Sequence, residues 1–354
     1  MKATIHLMMI FLLFPFVGCN NGIIDLPPEP TAEWEFIGLG EESITAIAVD
    51  PYNPKVIYAG SSSDFSAGTT GKLFKSTDGG ESWDTLLVGQ GFMFMDIVID
   101  PKNTNVIYAL PHQVIKSVDG GETWQVLTNG MRINPETRAA SLAIDPENSE
   151  VLYAGTGGFG GGSLYKSIDG GESWVDLYES EETTPGLRDG VVSLAIDPTN
   201  THIIYAGTAW RGLLVKSIDG GETWFKTGLG ETGQFIHDIL IDANESSRVY
   251  SGINFKGIFL SEDGGLNWRD LNEGLPENIS VMKIEQSKIK NKKFIVTTSG
   301  DNGWIYQSSQ IDQWDKLGID FLRRSYYYSD LKLVTATNDL YFGNKGIYRL
   351  RLWN

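Results

Sequence analysis

The chain is 354 residues long and carries 45 acidic against 28 basic side chains, a formal net charge of −17. A field of that sign repels phosphate backbones and anionic head groups, which excludes nucleic acid as a partner. The four histidines, His6, His112, His202 and His237, form no ligand-spaced pair, so neither a metal centre nor a cofactor is expected, and the single cysteine excludes an internal disulfide.

The first element is a leader. Met1-Lys2 is followed by an apolar run through Leu7 to Phe14 and then by Phe16-Val17-Gly18-Cys19, a short charged start, a hydrophobic centre and a small residue before a cut. The run is too short and too poorly flanked for a stable membrane span. Its last four residues resemble the bacterial lipoprotein lipobox, with Phe16 where that pattern usually has leucine. The resemblance implies a signal peptide over 1–18 and lipid attachment at Cys19, which explains a lone thiol in an exported chain. Residues 19–33, rich in Asn and Pro, then read as a tether. Asn20 after the cysteine, by likeness to Gram-negative lipoproteins, directs the protein to the outer membrane.

From Trp34 onward the chain repeats itself. Five copies of one eight-residue string run from Ser76 to Trp83, Ser117 to Trp124, Ser167 to Trp174, Ser217 to Trp224 and Ser261 to Trp268. Each lies in a longer unit, clearest as Leu194 to Asn200, Ile203 to Gly207, Leu213 to Ser217, the box, and Trp224 onward. Three β-rich runs, separated by Asp-Pro-x-Asn, Gly-rich and Asp-Gly-Gly turns, with a fourth opening at the tryptophan, predict a four-stranded antiparallel meander, strands A to D. Self-similarity at 41 to 50 residues means stacked copies of one supersecondary unit. Trp34 and Trp314 add two further D strands, the second with its Asp-Gly-Gly lost. The first D strand has no A, B and C before it, and the last A-B-C set, about 326–350, has no D after it. Joining the ends repairs both deficits, so the sequence predicts an all-β fold over 34–354, a single seven-bladed β-propeller whose last blade is closed by the N-terminal strand.

These boxes resemble the BNR or Asp-box repeat of sialidases, xyloglucanases, sortilin-type receptors and photosystem II assembly-factor propellers. The resemblance implies the scaffold and leaves the activity open, since unrelated functions share it. Box chemistry itself reads as structural. Asp78, Asp119, Asp169, Asp219 and Asp263 each precede a Gly-Gly pair, where a short carboxylate accepts backbone N–H groups while glycine takes the positive-φ positions. Trp83, Trp124, Trp174, Trp224 and Trp268 can each bury roughly 150–250 Å², on the order of 4–6 kcal/mol as an upper bound.

The A-to-B and C-to-D turns are near copies of one another on one face, whereas the B-to-C and D-to-A loops of the opposite face vary, which is where a binding surface differs between repeats. The B-to-C loops hold Phe65, Phe159, Trp210 with Arg211, Phe255 with Lys256, and Asp301 to Trp304. The D-to-A loops hold Phe92, Arg132, Arg138, Arg188, Asp189 and Gln234. Exposed aromatics beside polar groups suit stacking on sugars or anchoring a protein, so Phe65, Phe159, Trp210, Arg211, Phe255 and Trp304 are the candidate ligand-binding residues. Counting four back from each A-to-B turn Asp gives Ala46, Asp96, Ser141, Ser193 and Asp238, with two carboxylates in an inner ring and His237 beside the second.

A glycosidase needs two carboxylates about 5 to 10 Å apart. Asp96, Asp238, Asp189 and Asp301 are candidates by location. Sialidase-like chemistry lacks its Arg-Ile-Pro signature, Met131 to Pro135 being the nearest string, and the Tyr326–Tyr328 run beside Arg323 and Arg324 reads as a strand. One propeller cannot form the two-propeller cleft of xyloglucanases. The reading is therefore a monomeric, membrane-anchored, non-catalytic binding propeller for a protein or glycan, with a divergent exo-acting glycoside hydrolase as the alternative.

Overall fold

The computed structural model describes residues 34–63, 68–134, 136–158, 161–180, 182–230, 234–287, 294–299, 305–310, 313–317, 330–334, 337 and 339–351. The expected leader and tether, Cys19, Phe65, Phe159, Asp301, Trp304 and the cluster at 323–328 lie outside the described residues.

Strand and turn account for nearly all of these residues, and the only helical turn among them is Leu187–Asp189. Five sheets have four antiparallel strands each in chain order. The sheet carrying Trp224 shows the pattern, with Val191–Ile196, Ile204–Thr208, Leu214–Ser217 and Phe225–Lys226 as strands A to D. Strand B is buried throughout because both its faces meet neighbouring sheets, while D is exposed and two residues long. The other four-stranded sheets hold Trp124, Trp174, Trp268 and Trp314.

A sixth sheet has six strands and contains both ends of the described chain. Its order is Asp330–Val334, Asp339–Arg351, Trp34–Val49, Ile57–Ser61, Gly71–Ser76 and Asp84–Gly89. Trp34 pairs with Leu350 and Phe36 with Tyr348, so the chain's head lies against its tail. Farther along the same run, Ala46 pairs with Gly60 and Val49 with Ile57, which makes one long strand serve two repeats. Asp339–Arg351 must itself fold back. A straight strand of that length would separate its ends by about 40 Å, yet Arg351 Nε is 4.0 Å from Asp339 Oδ1.

First strands pack on the first strands of the sheets before and after them, and Asp330–Val334 packs on Trp34–Val49. Edge strands that meet one another in this way must lie at the middle, with the D strands outermost.

The box geometry recurs in each copy, with the Asn267 side-chain amide standing in the Trp268 repeat where the other four have a hydroxyl. In the Trp224 repeat, Ser217 Oγ donates to Asp219 Oδ1 at 2.7 Å and accepts the Gly221 N–H at 2.8 Å. Asp219 also accepts the Thr223 N–H at 2.9 Å and its hydroxyl at 2.5 Å. Gly220 and Gly221 have φ of 72° and 91°, a region closed to most side chains. The Gly220 N–H donates to the His202 carbonyl, tying the C-to-D turn to the A-to-B turn on one face, and the corresponding bond recurs from Gly79, Gly120, Gly170 and Gly264.

A latch between repeats was not foreseen. The strand-B tyrosine of one sheet and the strand-C lysine beside it both donate to the first box-glycine carbonyl of the next. Tyr153 and Lys166 reach Gly220 at 2.7 Å each. Tyr58 with Lys75, Tyr108 with Lys116, and Tyr205 with Lys216 do the same to Gly120, Gly170 and Gly264. Each lysine also lies 5.1–5.6 Å from its tyrosine ring centroid, in cation–π range.

Because one carbonyl has two donors, losing either should be mild. Tyr153→Phe or Lys166→Met alone is expected to cost about 0.5–1.5 kcal/mol. The pair together leaves the buried Gly220 oxygen bare and should cost about 1 kcal/mol more than the sum. Urea unfolding of the four proteins of the cycle measures that coupling, and simple additivity would remove the latch.

Candidate functional site

Two regions concentrate functional side chains. The first is the inner ring, where first-strand side chains join repeat to repeat, at the position found by counting back from the turn Asp for Asp96, Ser141, Ser193 and Asp238, and through Thr45 in the first repeat, where that position is Ala46. Asp96 accepts the Leu142 N–H at 3.4 Å, and Asp238 accepts that of Ile284 at 2.8 Å. Ser141 and Ser193 donate to the carbonyls of Val191 and Ile236 at 3.4 and 2.8 Å. Thr45 donates to Phe94 at 2.7 Å, and Asp330 accepts the Ile47 N–H at 2.7 Å.

Charges collect on one side of this ring. Lys283 lies 3.4 Å from Asp238, and Lys332 lies 3.4 Å from Glu285. Burial raises the carboxyl of Asp330, the opposing pull of Lys283 notwithstanding, and likewise lifts that of Glu285 against the pull of Lys332. The Lys283 ammonium is held well above its usual value, first by Asp238 and then by Asp330 and Asp96. Sequence reasoning missed Lys283, Glu285, Asp330 and Lys332. The last two repeats have lost the Asp-Pro-x-Asn turn from which the ring position was counted.

Asp96 is pushed up to about 6, by burial first and by the Asp330 charge, with Lys283 pulling the other way. A raised carboxyl stabilises the fold fully below its ordinary 3.8, and that contribution is lost as pH rises through about 6. Asp96→Asn should therefore be more stable than wild type at pH 7.5, by roughly 1–3 kcal/mol. The gap should close by pH 4, and melting curves across that range with a constant gap would contradict this. The box acids have the opposite sign. Asp169 is held at about 2 by the Ser173 hydroxyl, the Ser173 N–H and the Ser167 hydroxyl, so its stabilisation is present above 3.8 and lost below it.

The second region lies on the variable-loop face. The Trp210 ring is 5.4 Å from Phe235 in an edge contact, and Phe235 stacks on His237 at 5.9 Å and 13°. The His237 Nε2–H donates to Asn254 Oδ1 at 3.4 Å, and Ser280 donates to the same oxygen at 2.7 Å. Ser280 Oγ in turn accepts the Phe255 N–H at 2.9 Å. Trp210 is held by its indole N–H on the Gly158 carbonyl, 3.1 Å away, so the loop of the preceding repeat positions it. Burial lowers the His237 imidazole, against the pull of its Asn254 hydrogen bond, and so favours its neutral form.

The row from Trp210 to Phe255 thus draws on three sheets, Ser280 coming from the third, with exposed rings at its ends (45% and 61%) and neutral hydrogen-bonding groups between. Phe255 has a φ of 57°. A bulky residue in that region costs about 1–2 kcal/mol, and here the cost holds an apolar ring in water.

Of the residues named from sequence, Trp210, Phe255 and His237 belong to this row, the last named only for its place beside Asp238. Arg211 lies beside it, its Nε 3.2 Å from Asp189. That ion pair engages the Asp189 carboxylate, as Lys283 and the Ile284 N–H engage Asp238. Phe235 and Asn254 were not picked out individually. Among the described residues, no group of three His, Cys, Asp or Glu side chains is placed to hold a metal ion.

Radially arranged four-stranded antiparallel sheets whose first strands meet at the centre define a β-propeller fold. No protein-family model matches the chain, and no curated protein matches it in sequence. Solved structures do match in shape. One is an ancestral GH74 enzyme, 23% identical over 75% of this chain and 37% of its own, with a TM-score of 0.59. Another is the GH74 xyloglucanase from Xanthomonas campestris, 15% identical over 90% of this chain and 53% of its own, TM-score 0.70. A third is YCF48 bound to D1 peptide, 16% identical over 93% and 97%, TM-score 0.62. The chain spans about half or less of the GH74 enzymes, and at these identities the likeness concerns the fold.

Proposed function

We propose that this protein is an exported, lipid-anchored propeller that binds a neutral glycan without cleaving it, on the row from Trp210 to Phe255. The carrying observation is two exposed rings bracketing neutral polar groups, a platform for a sugar's apolar face with hydrogen-bonding partners for its hydroxyls. The overall negative charge disfavours acidic sugars. Phe65, Phe159 and Trp304 extend the same loop face in this reading. Cys19 carries the lipid after removal of 1–18, residues 19–33 are the tether, and the molecule is a monomer at the outer membrane.

The scaffold reading is a closed ring of seven Asp-box blades over 34–354, with the six-stranded sheet counted as two blades. It is supported by the unbroken cycle of first-strand contacts and by the pairing of Trp34 with Leu350.

A second reading, recognition of a protein segment, is favoured by the likeness to YCF48 bound to D1 peptide. The likeness to GH74 enzymes keeps a glycosidase as the alternative, with Asp96, Asp238, Asp189 and Asp301 as its candidate acids.

Incubating residues 20–354 with a glycan panel, and scoring retention and bond cleavage separately, tests these readings. Retention without cleavage is expected, falling at least tenfold in Trp210→Ala with the melting temperature unchanged. Cleavage that disappears in Asp96→Asn or Asp238→Asn would establish the hydrolase instead.

A further inference from the structure

The Trp124 repeat is the shortest, 41 residues from the preceding box tryptophan against 49 and 50 for its neighbours. Its B-to-C connection is only Leu110 to Val114 between strands Ile107–Ala109 and Ile115–Ser117. Beside it lies a groove of about 730 Å³, walled by the outer strand of the preceding sheet, this short connection and the segment that follows Val126. Leu87 and Val88 of outer strand Asp84–Gly89 line it, together with Ile115, Trp124 and Val126 of the short sheet. Val88 and Val126 are 57% and 54% exposed, so two β-branched side chains on neighbouring outer strands face solvent at the groove.

The polar content of the groove is sparse and has one sign. Arg138 is exposed and is the only formally charged side chain lining the groove among the described residues. The other ionisable group, His112, is engaged with the Gly91 carbonyl, and burial together with the Arg138 charge favours its neutral form. In a protein of net charge −17, an apolar trough with a lone cation is a local reversal of the surrounding field. Both outer strands end their sheets, and among the described residues no strand lies against their outward backbone groups. An extended chain can add to such an edge by main-chain hydrogen bonds while every second side chain enters the trough.

The geometry points to this groove as a second binding site, distinct from the Trp210–Phe255 row, for an extended peptide segment of a partner protein that places alternate apolar side chains against Val88, Trp124 and Val126 and a carboxylate on Arg138. The volume fits four to six residues, at roughly 110–170 Å³ each, and lies in the range of pre-formed ligand pockets.

The probe is an acetylated pentapeptide with leucine first, valine third, glutamate fifth and serine between them, alongside its glutamine counterpart. Titration followed by amide chemical shifts of the isotope-labelled protein is expected to show saturable shifts at the groove. The glutamate peptide should bind about tenfold more tightly than the glutamine peptide, and Arg138→Gln should abolish that difference. Val126→Glu, a surface change that leaves the fold intact, should weaken both peptides at least tenfold, and Trp210→Ala should weaken neither. No saturable shift at millimolar peptide, equal affinity of the two peptides for wild type, or binding insensitive to Val126→Glu would each overturn the site. So would saturation of the groove by decanoate with no response to either peptide, which would assign it to acyl carboxylates.

Discussion

Replacing Lys283 with methionine is expected to cost about 2–4 kcal/mol of stability. The change removes the cation facing Asp238 at 3.4 Å and the favourable field at Asp96 and Asp330. Breaking a fully buried pair costs about 3–5 kcal/mol because the partner charge is stranded; Lys283 keeps 37% of its side chain exposed, which tempers the figure. The loss should be larger near pH 8 than near pH 4, where Asp96, raised to about 6, takes up a proton. Chemical unfolding at the two pH values measures it. Asp238→Asn in the Lys283→Met background should recover part of the loss by removing the stranded charge. Unchanged stability in Lys283→Met would mean that the cluster is solvated rather than mutually paired.

A comparable loss is expected from Trp174→Ala, about 3–5 kcal/mol. Trp174 is 4% exposed, and its indole N–H donates to the Leu127 carbonyl of the preceding repeat at 3.1 Å. Its own backbone N–H donates to Asn129, and its ring shares a core with Tyr108, Leu127 and Leu152. Alanine would open a cavity between two sheets and leave the Leu127 carbonyl without that donor. Trp210→Ala removes the same side chain at an exposed site and should change stability by less than about 0.5 kcal/mol. Thermal unfolding of the two variants separates a tryptophan that seals sheets from one that faces the loop rim.

Local signals carried the fold. The Ser-x-Asp-Gly-Gly turn and the tryptophan behind it specify a hairpin within eight residues, and the unpaired strand at Trp34 pointed to the tail it meets. Contacts between repeats were harder to read. Tyr153 and Lys166 recur at fixed places in their strands, yet their shared acceptor, the Gly220 carbonyl, lies 67 and 54 residues away in the next repeat. A tyrosine and a lysine repeated four times in register were the available signal. Trp210 and Phe255 were legible as aromatics in variable loops. Their connection through Phe235, His237 and Asn254 was not, because it joins a D-to-A loop and a first strand to two B-to-C loops. The groove over the Trp124 repeat was present in the sequence only as a spacing of 41.

The central claim is that the loop-face row binds a glycan and that binding is separable from folding. Phe255→Gly tests it most directly, since glycine relieves the positive-φ strain while removing the ring. Calorimetry and glycan retention on the same preparation should show a melting temperature equal to or above wild type, with retention reduced at least tenfold and no bond cleavage in either protein. Retention unchanged in a well-folded Phe255→Gly protein would contradict the claim.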